Sequence, residues 1–219
     1  FAIHRFENAT TPPRISLINL TTHREIKLLE DNSALKTKMN KLALRSKEFF
    51  KVDIGDVVLD AWMIKPINFD PQKKYPLLVH VYGEPAGSTV QDNWSTGDNL
   101  WHQYLSNQLD YVVVSIDNRG TKVPRGRDFR KSVYRQIGIL AADDQAKAAK
   151  KMVETFSFID PKRIGIWGWS GGGQMTLHCM FRHSDIYKTG IAVAFVSQQT
   201  LYDNIYQERY MGLPADNFT

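Results

Sequence analysis

The sequence predicts an α/β protein whose mostly parallel sheet is covered by helices on both faces. Short apolar runs of strand length alternate with longer helical stretches from about residue 75 onward, and this alternation is typical of parallel sheets. A glycine-rich turn joins one of these runs to an apolar helix near residue 170. The chain has 219 residues, 42% of them hydrophobic and 23% charged. It is therefore long enough for one large folded domain, or for one domain and part of another.

The N-terminal residues predict a small β structure followed by a helix. Two strands, Ile15–Ile18 and Glu25–Leu29, flank a turn at Thr21–His23. Because an isolated hairpin is only marginally stable in water, we expect these strands to belong to a larger β structure. The segment Ser33–Leu42 predicts a helix with Ser33 as its N-cap. Its apolar residues recur every three or four positions, which indicates one buried face.

A hairpin and then an alternating pattern make up the rest of the chain. Gly55 and Asp56 predict a tight turn between strands at 49–54 and 57–64. Pro66 ends the second of these strands. The strands predicted after it are Pro76–Tyr82, Tyr111–Ile116, Arg163–Gly168 and Gly190–Phe195, and the helices are Trp94–Leu109 and Leu140–Phe156.

Composition and charge argue against several classes of function. The net charge is +5, but the lysines and arginines are spread along the chain without a basic block, so we predict no nucleic-acid partner. No apolar stretch reaches the length of about 18 residues that a membrane-spanning helix needs. No metal-binding motif or phosphate-binding glycine loop is present, so we predict neither a metal nor another cofactor. The single cysteine, Cys179, cannot form an internal disulfide.

The segment Gly168–Gly172 carries the clearest chemical motif, because Gly-Trp-Ser-Gly-Gly fits the pattern G-x-S-x-G. It follows a predicted strand and begins an apolar helix, which is the setting of a nucleophile elbow. Such a turn exposes the serine Oγ above the sheet, and glycines let the neighbouring backbone pass close to it. We therefore predict Ser170 as a nucleophile. The alternative is a serine that only caps a glycine-rich helix.

Two groups are candidates for an oxyanion hole near Ser170. One is the N–H of Gly171, the residue after the nucleophile, because the helix N-terminus directs its N–H groups toward negative charge. The other comes from the loop after an earlier strand, where Tyr82 is placed to donate its phenolic O–H. The alternative for Tyr82 is a ring that only packs at the end of a strand.

Several further segments are distinctive when they are taken together. They are Tyr75–Pro85, Asp117–Thr121, Asp144-Gln145, Gly165–Ser170 and Tyr206–Pro214. With them the chain resembles the prolyl oligopeptidase family of serine peptidases, and within it the branch of dipeptidyl peptidase IV and prolyl tripeptidyl peptidase. The resemblance covers nearly the whole chain and implies an α/β-hydrolase fold preceded by a β-propeller. Residues 1–32 would be the last piece of the propeller, and residues 33–219 the first part of the catalytic domain.

The resemblance also implies roles for individual residues. It makes Ser170 the nucleophile and Tyr82 an oxyanion donor beside the N–H of Gly171. Three further positions match the pocket that takes a proline-like side chain in that branch, and such a ring suits an apolar, aromatic pocket. These positions are Val196, Tyr202 and Tyr206. Without the resemblance, all three would be interpreted as ordinary core residues.

Three positions depart from the pattern of the family. Gly171 stands where the family usually carries tyrosine or phenylalanine, so one aromatic wall of the pocket is missing. Gln199 stands where the dipeptidyl peptidases often have tryptophan, and Phe195 replaces a usual proline. Peptidase identity is therefore better supported than specificity for proline.

A serine nucleophile needs a general base and a carboxylate that orients it, and in this fold Asp and then His follow the serine. The 49 residues from Gly171 to Thr219 are too few to reach both. His178 and His183 lie on the helix after the elbow, where surface or packed histidines are the ordinary interpretation. Asp203 lies beside the pocket tyrosines, where it suits local hydrogen bonding.

We therefore expect the acid and the base to lie beyond Thr219. The start at Phe1, with neither a methionine nor a secretion leader, also indicates an internal piece of a longer protein. We do not expect the chain to be active alone.

The leading hypothesis is a serine exopeptidase that acts through an acyl-enzyme at Ser170. It would release N-terminal di- or tripeptides after proline or a small residue, so its partners would be peptide substrates. The resemblance favours a periplasmic, secreted or cell-surface location and leaves a homodimer of the full-length protein open. One alternative is a carboxylesterase or acylaminoacyl-peptidase. Another is a non-catalytic interaction protein on a peptidase fold.

Overall fold

The computed structural model describes residues 1–94 and 97–216, and at positions 97, 98 and 216 it describes the backbone alone. The N-terminal part is a three-stranded antiparallel sheet in the order β1-β2-β3. Its strands are β1 (Ala2–Asn8), β2 (Thr11–Ile18) and β3 (Glu25–Glu30). The two predicted strands are confirmed as β2 and β3. The first strand, β1, was not predicted.

Helix α1 (Ser33–Met39) follows the small sheet and differs from the prediction in two ways. Its N-cap is Asn32, whose φ of 51° is left-handed, so Ser33 already lies inside the helix. None of its residues is buried, so the predicted buried face is wrong. The helix contacts β2, and its apolar residues stay half-buried or exposed.

The main sheet has six strands in the order β4-β5-β7-β6-β8-β9. Its first two pairings, β4 with β5 and β5 with β7, are antiparallel, and the other three are parallel. This confirms the predicted mostly parallel sheet and the hairpin at Gly55. The strands are β4 (Glu48–Asp53), β5 (Val58–Ile64), β6 (Tyr75–His80), β7 (Val112–Asp117), β8 (Ile159–Trp169) and β9 (Thr189–Val193).

Five helices accompany this sheet in the described part of the chain. They are α2 (Gly97–Leu109), α3 (Gly126–Lys131), α4 (Ile139–Thr155), α5 (Gly171–Arg182) and α6 (Asn204–Met211), with short 3-10 turns at Gln199–Leu201 and Pro214–Asp216. The helix predicted from Trp94 begins at Gly97, and Ser95 and Thr96 lie outside the described residues. The last predicted strand ends early, at Val193, because Ala194 takes a left-handed φ of 46°.

Alternate residues of the central strands pack on opposite faces of the sheet, as the strand period of two requires. Leu77 and Val79 face the core under α4 and α5, whereas Leu78 belongs to a second cluster with Leu105 of α2 and Trp167. The sheet is therefore covered on both faces. Within residues 1–94 and 97–216, none of the helices combines the length and the apolar character needed to cross a membrane.

A buried polar network ties α4 to the ends of the central strands. The amide of Asn118 donates to the carbonyl of Gly83 at 2.9 Å, and Gln145 donates to the amide oxygen of Asn118 at 2.9 Å. Next to it, Asp144 is fully buried and accepts from the backbone N–H and Nε of Arg119 at 3.0 Å and from its Nη2 at 2.6 Å. The network therefore fixes the backbone of the loop that follows β6.

We predict that Asp144→Ala lowers the free energy of unfolding by about 2–4 kcal/mol, because it leaves the guanidinium of Arg119 without its buried partner. Asp56, at 3.0 Å from Arg119, limits the loss. The measurement is chemical denaturation of both proteins. Glu154→Gln, which removes an exposed ion pair with Lys151, is the control and should change stability far less. Equal effects of the two substitutions would contradict the structural role of the buried pair.

Candidate active site

Ser170 lies on the sharp turn between β8 and α5. Its φ of 57° and ψ of −120° are strained for a residue with a side chain, and this conformation is typical of a nucleophile elbow. Its N–H donates to the carbonyl of Val193 at 2.9 Å, and its own carbonyl accepts from Gln174 at 3.1 Å. The turn is therefore held between β9 and α5, and Ser170 stays partly exposed.

The elbow packs directly on the end of β6, and two glycines make this contact feasible. A β-carbon on Gly168 or on Gly172 would overlap with the carbonyl oxygen of Val81. A β-carbon on Gly172 would also lie 3.2 Å from the Cα of Tyr82. The glycines of the motif therefore serve a close approach of two backbones, and this approach places the Tyr82 loop beside the elbow.

Tyr82 and Gly171, the two predicted oxyanion donors, flank this contact. Gly171 is the first residue of α5, where backbone N–H groups have no partner within the helix. Tyr82 is half-buried, and burial together with the neighbouring Glu84 raises the pKa of its phenol. The phenol therefore stays protonated at neutral pH and keeps its O–H for donation.

The predicted pocket tyrosines form a cluster on this side of the sheet. The ring of Tyr206 meets Tyr202 edge-on at 5.2 Å between centroids and Tyr210 at 4.8 Å. Tyr202 and Tyr210 are also close enough to Tyr82 to raise the pKa of its phenol. The structure thus brings Tyr82, Tyr202 and Tyr206 together. Val196 lies beyond the end of β9 and is half-buried.

Glu84 is a residue of this site to which the sequence analysis gave no role. Its side chain is only 5% exposed, and its carboxylate accepts a hydrogen bond from the phenol of Tyr206. It also fills the space beside Gly171, where a β-carbon would overlap with the carboxyl group. The signal in the sequence was a carboxylate two residues after Tyr82, together with the missing side chain at position 171.

With this geometry established, the comparisons with known proteins identify the family. The model of the "Prolyl oligopeptidase family" matches residues 97–218, which is more than half of the chain. The chain belongs to the prolyl oligopeptidase family. The six-stranded sheet, the elbow and the flanking helices therefore form an α/β-hydrolase fold, as the resemblance implied.

Individual relatives agree with this assignment to a family of serine peptidases. The chain is 40% identical over 194 residues to Prolyl endopeptidase FAP from Bos taurus, covering 89% of this chain and 25% of that protein. It is 36% identical over 203 residues to Dipeptidyl peptidase 4 from Sus scrofa, covering 93% and 26%. Because of these shares, the chain spans about a quarter of the length of the curated relatives that it matches.

Solved structures show the same relationship in three dimensions. The dipeptidyl peptidase 4 of Porphyromonas gingivalis superposes with a TM-score of 0.91 at 38% identity, covering 98% of this chain and 30% of that one. A putative dipeptidyl aminopeptidase IV from Bacteroides ovatus gives a TM-score of 0.86 at 33% identity, with the same coverage.

The two histidines after the elbow do not face Ser170. His183 lies at the C-terminal end of α5, about 20 Å along the helix from Ser170, and contacts the carboxylate of Asp143 at 2.9 Å. His178 lies about 12 Å along the same helix and packs against Gly138, at the start of α4. Neither is therefore placed to act as the base for Ser170, as the sequence analysis expected.

Two polar residues near the pocket make local contacts. Asp203 is the N-cap of α6 and accepts from the N–H of Tyr206 at 2.8 Å, which confirms the local hydrogen bonding expected for it. Gln199 donates to the amide of Gln174 at 2.8 Å and accepts from Gln207. It thus gives a polar surface at a position where the resemblance implied an aromatic ring.

We predict that Glu84→Gln stabilises the protein more at high pH than at low pH. Burial raises the pKa of the Glu84 carboxyl above its ordinary value, although the hydrogen bond from Tyr206 opposes this. The folded state therefore holds the proton more tightly than the unfolded chain does. The stability that this protonation contributes is lost as the pH rises through the folded-state pKa. Glutamine keeps the shape and an acceptor oxygen but has no such proton.

The measurement is chemical denaturation of the two proteins between about pH 4 and about pH 8. The difference in unfolding free energy, variant minus wild type, should grow with pH. Glu208→Gln, at an exposed position of α6, is the matched control and should show a small difference throughout. A difference for Glu84→Gln that shrinks as the pH rises would contradict a raised pKa of the Glu84 carboxyl in the folded state.

Proposed function

We propose that this chain is part of a serine exopeptidase that releases N-terminal di- or tripeptides after proline or a small residue. The observation that carries the proposal is the position of Ser170. It occupies a strained turn at the N-terminus of α5, and that turn packs on the end of β6 just before Tyr82. The proposed nucleophile, the N-terminus of α5 and the proposed phenolic donor therefore follow the same ends of two neighbouring parallel strands, which supports this proposal.

In the proposed reaction, the Oγ of Ser170 attacks the carbonyl carbon of the scissile bond while its proton passes to a general base. The carbonyl oxygen becomes an oxyanion, and the N–H of Gly171 and the O–H of Tyr82 donate to it. The C–N bond then breaks, the amine leaves with the proton, and an acyl-enzyme remains on Ser170. Water hydrolyses this ester and frees the di- or tripeptide.

We propose that the acid and the base of this reaction come from residues C-terminal to this segment in a longer protein. Two observations support this. The chain spans about a quarter of the relatives that it matches. Strand β9 lies at the edge of the main sheet and leaves Ile191 exposed, although a parallel strand is normally buried on both faces. A further strand and helix beside β9 would cover this apolar edge.

We propose in the same way that residues 1–32 are the last piece of a β-propeller and that residues 33–219 begin the catalytic domain. The small sheet supports this, because its outer strand β3 is exposed along its whole length. Ile26, Leu28 and Leu29 are between 40% and 50% exposed. Apolar side chains on an edge strand indicate that further strands pack there.

A carboxylesterase or acylaminoacyl-peptidase is the second candidate. It is favoured by the pocket itself, which has no aromatic side chain at Gly171 and a polar one at Gln199. The rates at which the longer protein hydrolyses a Gly-Pro anilide and a simple p-nitrophenyl ester distinguish the exopeptidase from this second candidate. The exopeptidase predicts efficient cleavage of the anilide, whereas an esterase would cleave only the ester.

We predict that a fluorophosphonate probe labels Ser170 in the longer protein. Ser170→Ala should abolish labelling and lower peptidase activity by at least about 10⁴-fold, because the nucleophile is lost. Ser184→Ala, an exposed serine just after α5, is the control and should leave both unchanged. Labelling is read by mass spectrometry of the modified peptide. A folded protein that is not labelled would contradict catalysis and favour a non-catalytic interaction protein.

A further inference from the structure

Glu84 and Gly171 form a matched pair beside the nucleophile. A β-carbon at position 171 would overlap with the Cδ of Glu84 and lie 2.8 Å from its Oε1. Residue 171 can therefore carry no side chain while Glu84 holds its position. As a result, the carboxyl group of Glu84 occupies the space that a side chain at position 171 would fill.

The carboxyl group is built into the tyrosine cluster. Its Oε2 accepts from the phenol of Tyr206, whose ring meets Tyr202 and Tyr210. Glu84 is only 5% exposed to solvent. An acidic group is thus enclosed between α6 and the start of α5, at the place where the proposed function puts the side chain before the scissile bond.

One oxygen of this carboxyl group is left for a ligand. Within the described residues, the hydrogen bond from Tyr206 reaches Oε2, and no donor of the protein reaches Oε1. Oε1 keeps a small opening to solvent, and a substrate that covers it leaves this acceptor unpaired unless the substrate supplies a donor. A substrate with a donor at this position therefore gains more than one without. A charged acceptor makes this hydrogen bond stronger than a neutral one.

We infer that Glu84 is a specificity-determining residue that selects a hydroxyl group on the side chain before the scissile bond. This inference rests on the proposed function. 4-Hydroxyproline and serine would therefore be preferred over proline and alanine. A hydroxyl group is the donor that fits best, because it adds only one heavy atom to proline or alanine and brings no second charge out of water. A site built to pair with a hydroxyl rejects the analogue that lacks it, since its own polar group then stays unpaired.

The test measures kcat/KM of the longer protein on four dipeptidyl anilides, Ala-Hyp, Ala-Pro, Ala-Ser and Ala-Ala. The wild type should prefer each hydroxyl substrate over its partner by about tenfold or more. In Glu84→Met, which has a similar volume and no acceptor, both ratios should fall to about one. Glu84→Gln keeps a neutral acceptor oxygen, so its two ratios should fall several-fold from those of the wild type. This variant keeps the test decisive if Glu84→Met does not fold.

Glu208→Gln on the exposed face of α6 is the matched control, and its ratios should equal those of the wild type. If Glu84 only supported the fold, its variants would slow all four substrates together and leave the ratios unchanged. That result, or a wild type that prefers the substrates without a hydroxyl, would overturn the inference while Ser170-dependent cleavage upholds the proposed function. If none of the four substrates is cleaved, both the inference and the proposed function are overturned.

Discussion

The site depends on one close contact between two backbones. The elbow before α5 can lie on the end of β6 only because Gly168 and Gly172 have no side chains to meet the carbonyl of Val81. This contact fixes where the loop after β6 begins, and hence where Tyr82 stands relative to Ser170. The geometry of the proposed site therefore follows from a steric condition on two residues that have no role in the proposed reaction.

The loop after β6 is held from a second side by polar contacts under the sheet. The amide of Asn118 donates to the carbonyl of Gly83. The next residue, Arg119, is held by its ion pair with Asp144. The loop is thus fixed by backbone packing on one side and by a buried network on the other. Glu84 belongs to this loop, so its buried carboxyl group is carried by a backbone that is held on both sides.

Much of the fold could be predicted because its signals are local. The strand β8, the turn at Ser170 and the helix α5 are adjacent in the sequence, and their glycines and apolar runs mark them directly. Helices α3 and α6 were not predicted, since both are short and lack an apolar repeat. The apolar spacing of α1 predicted a buried face that the helix does not have, because spacing alone does not show what a helix packs against.

The role of Glu84 could not be predicted from local pattern. Its burial depends on Tyr206, which is 122 residues away, and on the empty position at Gly171. Each feature is unremarkable in the sequence, and only the fold shows that one compensates for the other. The roles of Ser170 and Tyr82 remain predictions that the geometry supports, since both stand at the same edge of the sheet.

We propose that the contact of the elbow with β6 creates an oxyanion hole between the N–H of Gly171 and the phenol of Tyr82. The most direct measurement is a crystal structure of the longer protein with a fluorophosphonate bound to Ser170. We predict a phosphonyl oxygen within about 2.7–3.1 Å of both the Gly171 nitrogen and the Tyr82 Oη. A phosphonyl oxygen that points to solvent, with Tyr82 turned away, would contradict the account.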